Sequence, residues 1–258
     1  MTEAVKTLSP LDEQWQNGIA IVAHPDDLEY GASSAIARWT AQGKKLTYCL
    51  VTSGEAGIDG MAPAEASKVR RAEQHASAAA VGVDTVEFLD FKDGVIEYGL
   101  PLRKAIARVI RRHKPQVVVT NNLRDTFDGE LLGREYAPLN HADHIATGRA
   151  ILDGVRDAGN RWVFEDLLAD EGLQPWGGVG AVFVANSPFA GHGVDVTQYL
   201  DRGVASLVAH DAYIKGLGRD DFDPEEFLES LARHAGTQLS CKFAVSFETL
   251  RLAPPASQ

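Results

Sequence analysis

"VAHPDDLEYGAS" (Val22–Ser33) stands where an apolar run, "GIAIVA" (Gly18–Ala23), gives way to a segment of helical character. In a nucleotide-binding protein a strand-to-helix turn of this kind is rich in glycine, so that the backbone can approach phosphate. Here it carries His24 and the carboxylates of Asp26, Asp27 and Glu29, and such a turn would repel a pyrophosphate. Four further apolar runs follow: "LTYCLVT" (Leu46–Thr52), "TVEFLD" (Thr85–Asp90), "QVVVTN" (Gln116–Asn121) and "AVFVAN" (Ala181–Asn186). Most are apolar at consecutive positions rather than at alternate ones, the pattern of parallel strands covered on both faces.

The segments between these runs read as helices. Ser33–Gln42 is one. Pro63–Val81 has its proline in the first turn and ends at "VGV", and Leu100–His113 places Leu102, Ile106, Val109 and Ile110 at helical spacing before "KP". Asn140–Val155 follows the fourth run. Strand and helix therefore alternate, and the fold expected is α/β: a Rossmann-like, doubly wound, mostly parallel sheet with helices on both faces. Further on, "VTQYLDRGVASLVAHDAYIKGL" predicts one amphipathic helix, "PEEFLESLARHA" another after the acidic turn "RDDFDP", and "KFAVSFETLRL" a strand at a sheet edge. No repeat or low-complexity linker divides the chain. Residues 1–258 are read as one domain with a core over about 18–252 and short flexible ends, the last being "APPASQ".

The composition narrows the classes of function. Of 258 residues, 45% are hydrophobic and 24% charged, the profile of a globular protein. The net charge of −11, without a Lys/Arg run, argues against nucleic acid as a partner. No stretch approaches the roughly 20 apolar residues of a membrane span, the N-terminus lacks the pattern of a signal peptide, and the expected location is the cytoplasm. Cys49 and Cys241 are too few for a disulfide framework, and neither is assigned a role.

In open α/β sheets ligands bind beyond the carboxyl ends of the strands. Behind the five runs lie, in turn, His24, Asp26 and Asp27; Ser53 and Glu55; Asp90 and Asp93; Asn121 and Asn122; and Asn186. A second cluster, "NHADHIATG" (Asn140–Gly148), reads as a helix start with Asn140 as N-cap, which sets His141 and His144 on one face of the first turn beside Asp143. A lone histidine is more often a surface residue or a satisfied hydrogen-bonding group than a ligand. Two such motifs on one chain reverse that expectation. A catalytic zinc takes three ligands from His, Asp or Glu and keeps a position open for water; His24, Asp27 and one imidazole of the helix would supply such a set. The remaining polar groups would then surround the metal or move protons. The same donors suit Fe(II) or another divalent ion, with zinc preferred.

Taken together, "AHPDD", "GEAG", "RRAEQHASAAAVGV", "FLDFKDG" and "HADH" resemble the PIG-L or LmbE-like family of zinc-dependent N-deacetylases, over about Gly18–Val155. The resemblance implies removal of an acetyl group from an N-acetylglucosamine-type sugar conjugate, a small-molecule partner. It implies His24, Asp27 and His144 as metal ligands, Asp26 as general base, His141 as the group that stabilises the oxyanion, and Asp143 as the residue that orients His141. Arg70, Glu55 and Asn121 are the expected substrate contacts; self-association into a homo-oligomer is left open. Against the family's commonest pattern, Leu28 precedes Glu29, "HADH" replaces "HPDH", and the segment between the fourth run and "HADH", residues 122–140, is long.

Three other readings compete. An amidase for a larger N-acyl group or a thiol-sugar conjugate would use the same site. A nucleotide-dependent oxidoreductase or transferase would want G-x-G-x-x-G in the first turn, and a non-catalytic metal-binding protein would not need every acid/base position to be filled. Glu29, His192, His210, Arg124, Arg134, Tyr136, Trp162 and Trp176 receive no role; His192 is read as a loop residue and His210 as structural, at the polar edge of a helix.

Overall fold

The computed structural model describes residues 7–218 and 221–252. Its strands are β1 (Ser9–Pro10), β2 (Asn17–Val22), β3 (Lys45–Leu50), β4 (Thr85–Phe88), β5 (Val117–Thr120), β6 (Ala181–Ala185), β7 (His192–Asp195) and β8 (Ala244–Arg251). The helices are α1 (Ser33–Ala41), α2 (Pro63–Ala80), α3 (Leu100–His113), α4 (Ala142–Gly159), α5 (Asp166–Ala169), α6 (Leu200–Val208), α7 (Asp211–Gly216) and α8 (Pro224–Leu239). All eight strands form one sheet, in the order β1-β7-β8-β6-β5-β2-β3-β4. From β4 to β6 the pairs are parallel. The chain lays β3 and β4 on one side of β2, then crosses back to lay β5 and β6 on the other. β2 and β5 thus flank a topological switch point, the place where an open α/β sheet opens a crevice at its carboxyl edge.

Four of the five apolar runs are buried on both faces, which is why they do not alternate; the third, over β4, stands at the sheet edge and is only half-buried. Ala20, Val22, Tyr48, Leu50, Val117 and Val119 face Ile36 and Trp39 of α1 and Ala78 of α2. Their neighbours Ile19, Ile21, Cys49 and Val118 face Ile106 and Ile110 of α3 and Ile151 of α4. Among the described residues no helix is long and apolar enough to cross a membrane.

The later third departs from the sequence reading. The strand expected at an edge, β8, lies inside the sheet, antiparallel to β6 and β7, because its first five residues are buried and take partners on both sides. His192 opens a strand rather than a loop, and β1 carries the sheet ahead of Gly18. The single helix expected over residues 200–214 is two, α6 and α7, broken at His210, whose side chain is fully buried with its Nε2 3.8 Å from Glu29 Oε2. Sinking that imidazole into the interior turns the chain out of helical geometry (φ −87°, ψ 46°). "APPASQ" and the first two residues of "RDDFDP" lie outside the described residues.

Candidate metal centre and active site

The turn after β2 folds back on itself. The Asp27 carboxylate accepts from the His24 backbone N–H at 2.8 Å, and Asp26 sits between them at φ +89°, a conformation side chains rarely adopt. One oxygen of Asp27 then faces His144 Nε2 at 2.8 Å, while the other lies 3.6 Å from His24 Nδ1. His24, Asp27 and His144 each offer one donor atom, all within 4.8 Å of one another.

The partners of the two histidines decide which nitrogen is free. His24 Nε2 lies 3.1 Å from Asp93 Oδ1 and 3.2 Å from Asp143 Oδ2, so it carries a proton and leaves Nδ1 toward Asp27. His144 Nδ1 lies 2.9 Å from the carbonyl oxygen of the Asn140 side chain, so it is the donor there and leaves Nε2 toward Asp27. A lone pair of His144 aimed at a carboxylate oxygen 2.8 Å away is repulsive unless a proton or a metal cation lies between them. The donor set, two oriented imidazoles and one carboxylate with outer partners on each ring, therefore fits a divalent cation. The surrounding carboxylates also favour positive charge at this place. Burial by itself would lower the pKa of His24, but Asp143, Asp27 and Asp93 outweigh it and push it up to about 12. Burial would raise that of Asp27, yet His144 and His24 hold its carboxyl well below the usual range.

Asp26 shares the turn but stands outside this set. Arg70 Nη2 donates to its Oδ2 at 2.9 Å and also to the Pro25 carbonyl, and Gln74 Oε1 accepts from its backbone N–H at 3.2 Å. Burial, opposed by Arg70 and aided by the charge of Asp27, pushes its pKa up to about 6. Arg70 is 1% exposed and lies under the ring of Tyr213, 3.8 Å from the centroid. Gly57 leaves it room: a Cβ there would come within 2.8 Å of Arg70 Nη1. The neighbouring Arg71 pairs instead with Asp90 and Ser53.

His24, Asp26, Asp27, Arg70, Asp93 and His144 line a cavity of about 570 Å³ at the carboxyl edge, together with His141, Asn121, Asn122 and Asn186. The rest of its lining is largely apolar, with Tyr30, Phe127, Leu131, Leu132, Phe227 and Leu231. The rings of His24, His141 and His144 lie 5.3 to 5.6 Å from one another.

Several expectations need correction. Asn140 is not the N-cap; α4 begins at Ala142 with His141 in the capping position, and the Asn140 side chain turns to His141 N–H and His144 instead. Asp143 does not orient His141. Its carboxylate accepts from Gly94 N–H at 2.8 Å and Ile96 N–H at 3.0 Å and faces His24, so the ring it orients is that of His24. Glu55 does not line the cavity; it accepts from Asp93 N–H. Arg124 is occupied by Glu248, Trp162 is 74% exposed, and Trp176 donates to the Pro115 carbonyl. Glu29, unexplained in the sequence, is buried and accepts from Gln74 and Ser77 of α2. Gln74 escaped the sequence reading, although a legible signal existed: Arg70, Gln74 and Ser77 form a polar stripe at helical spacing on the buried face of α2.

Fold and site define a Rossmann-like α/β protein with a two-histidine, one-carboxylate centre at the switch point of its sheet. Residues 19–155, more than half of the chain, match the family described as PIG-L, GlcNAc-PI de-N-acetylase, and the chain belongs to that family. Diacetylchitobiose deacetylase of Thermococcus kodakarensis is 27% identical over 242 residues, which cover 92% of this chain and 82% of that protein. The structure of N,N'-diacetylchitobiose deacetylase from Pyrococcus horikoshii is similar with a TM-score of 0.81 at 20% identity, over 95% of this chain and 89% of that one. GalB of Pseudomonas putida, a 4-carboxy-2-hydroxymuconate hydratase, is similar at 0.68 and 18%, over 94% and 98%. That fold therefore serves more than one reaction, and the side chains must decide which.

Proposed function

We propose that the chain is a divalent-metal-dependent N-deacetylase that hydrolyses the acetamide of an N-acetylated amino sugar or its conjugate, with zinc as the preferred metal. The observation that carries this reading is the separation of roles within one turn: Asp27 lies among the three donors, and Asp26 lines the same cavity outside them. When bound by His24, Asp27 and His144, a divalent cation supplies Lewis acidity, polarising the amide carbonyl and acidifying water. Asp26 takes the proton of the attacking water as the new C–O bond forms, and returns a proton to the amide nitrogen as the C–N bond breaks. Arg70 and Gln74 fix its carboxylate and its backbone for both transfers. His141 donates a ring N–H to the carbonyl oxygen as negative charge gathers there. Acetate and a free amine leave.

Asp26→Asn is expected to retain the metal and lose turnover by about 10²- to 10⁴-fold, the usual worth of a general base. Asp27→Ala is expected to lose the metal as well. Metal analysis and an acetate-release assay over N-acetylglucosamine conjugates measure both; an Asp26→Asn enzyme with full activity would overturn the assignment. A hydratase would release no acetate from any of them. The apolar wall of the cavity favours a second reading, an amidase for longer N-acyl groups, so the panel should include N-butyryl and N-octanoyl glucosamine.

A further inference from the structure

Asn140 uses its whole hydrogen-bonding capacity at the junction of two parts of the site. Its Oδ1 accepts from His141 N–H at 2.8 Å and from His144 Nδ1 at 2.9 Å, and its Nδ2 donates to the carbonyls of Asn122 at 2.8 Å and Arg124 at 2.9 Å. Two carbonyls on one end and a backbone N–H on the other fix which way the amide faces. The two carbonyls belong to the neck of an arch over residues 123–139, which is closed by Phe127 N–H to the Pro138 carbonyl, Asn140 N–H to the Asp125 carbonyl and a bridge between Thr126 and Leu139. Leu131 and Leu132 of this arch wall the cavity.

We propose that Asn140 is a positioning residue that joins the cavity-walling arch to the metal ligand His144, so that cation binding and order in the arch are coupled. The inference rests on the reading of His144 as a ligand through Nε2. Holding the Nδ1 proton keeps that nitrogen free for the cation, and outer partners of this kind typically change metal affinity 10- to 100-fold. Linkage makes the coupling reciprocal: a cation that fixes His144 also fixes, through the same amide, the carbonyls of the arch.

The test uses the full chain, Zn²⁺ and Co²⁺ as probes in chelator competition, and trypsin, for which the exposed Arg134 in the arch is a substrate. In the wild type, Zn²⁺ should slow cleavage at Arg134. Asn140→Ala should weaken cation binding 10- to 100-fold, shift the Co²⁺ absorption spectrum and abolish the protection. Asn140→Asp keeps an acceptor for His144 but sets an oxygen against two carbonyls, so it should bind the cation within about threefold of wild type while Arg134 is cut faster. It also serves if the alanine variant fails to fold. Wild-type affinity in Asn140→Ala, or cleavage of the wild type that ignores the cation, overturns the coupling alone. A wild type that binds neither cation overturns the ligand assignment together with it.

Discussion

At the scale of single residues, the site depends on a left-handed aspartate and on the guanidinium that holds it. Asp26 at φ +89° occupies a conformation that costs of order 1–3 kcal/mol for a side chain, and surrounding contacts must over-determine it. Gln74 on its N–H and Arg70 on its carboxylate do so, and Arg70 fits only because Gly57 has no Cβ. Gly57→Ala would bring a methyl closest to the end of a side chain, Arg70 Nη1 at 2.8 Å, with the Gly54 carbonyl oxygen farther off at 3.3 Å, so the fold should survive while Arg70 moves off Asp26. We expect unchanged metal content and turnover reduced about 10- to 100-fold, the scale of a displacement near 1 Å at a catalytic group. Gly60→Ala, where a Cβ meets nothing within 4 Å, is the control and should be neutral. Equal activity in the two variants would remove Arg70 from the positioning of Asp26.

At the scale of elements, the tightest approach on the α1 face is that of α6 to α1. A Cβ on Gly203 would lie 2.0 Å from Ser34 Oγ and 3.0 Å from Ser34 N, a backbone atom that cannot step aside. Gly203→Ala should cost about 1–3 kcal/mol through overpacking, and lower the thermal midpoint by roughly 2–4 °C for each kcal/mol. In a Ser34→Ala background the cost should shrink, since the nearer of the two contacts is gone; additive effects would refute the contact. The same crowding explains what the sequence could and could not disclose. Most of the parallel half of the sheet was legible, because strands covered on both faces are apolar at consecutive positions, and α3 was legible to its last residue from the spacing of Leu102, Ile106, Val109 and Ile110. The break between α6 and α7 was not, because what ends α6 is the burial of His210 against Glu29, a partner 181 positions earlier by subtraction of their numbers. β8 looked like an edge for a related reason: a strand's neighbours are chosen by topology, and β7, its second partner, is only four residues long. Within the site, the three candidate donors, which the structure brings within 4.8 Å of one another, and Asp26 all stand in two short motifs. The tasks of Asn140 and Asp143 were not, since each is set by contacts, at Asn122 and Arg124 and at Gly94 and Ile96, that no local spacing encodes.

At the scale of the whole molecule, the centre ties together parts of the chain that fold as separate layers. His24 and Asp27 come from the turn after β2, and His144 from α4, which follows the crossover to β5 on the other side of the sheet's switch point. The carboxylates of Asp27, Asp93 and Asp143 gather around His24 in a chain of net charge −11, a concentration of negative charge that a divalent cation would be drawn to. A ligand that binds the folded state alone stabilises it by mass action, about 2.7 kcal/mol at a hundredfold excess over Kd. At roughly 2–4 °C for each kcal/mol in a chain of this size, saturating Zn²⁺ should raise the thermal midpoint by about 5–10 °C over the chelated protein. Asp27→Ala should be insensitive to Zn²⁺, and Asp26→Asn, which leaves the donor set whole, should respond as the wild type does. Differential scanning calorimetry with chelator, with added Zn²⁺ and with Mg²⁺ as a hard-cation control measures the three proteins side by side. An equal response of Asp27→Ala and wild type would mean that the stabilising ion sits elsewhere, and His24, Asp27 and His144 would lose their assignment while the fold remained as described.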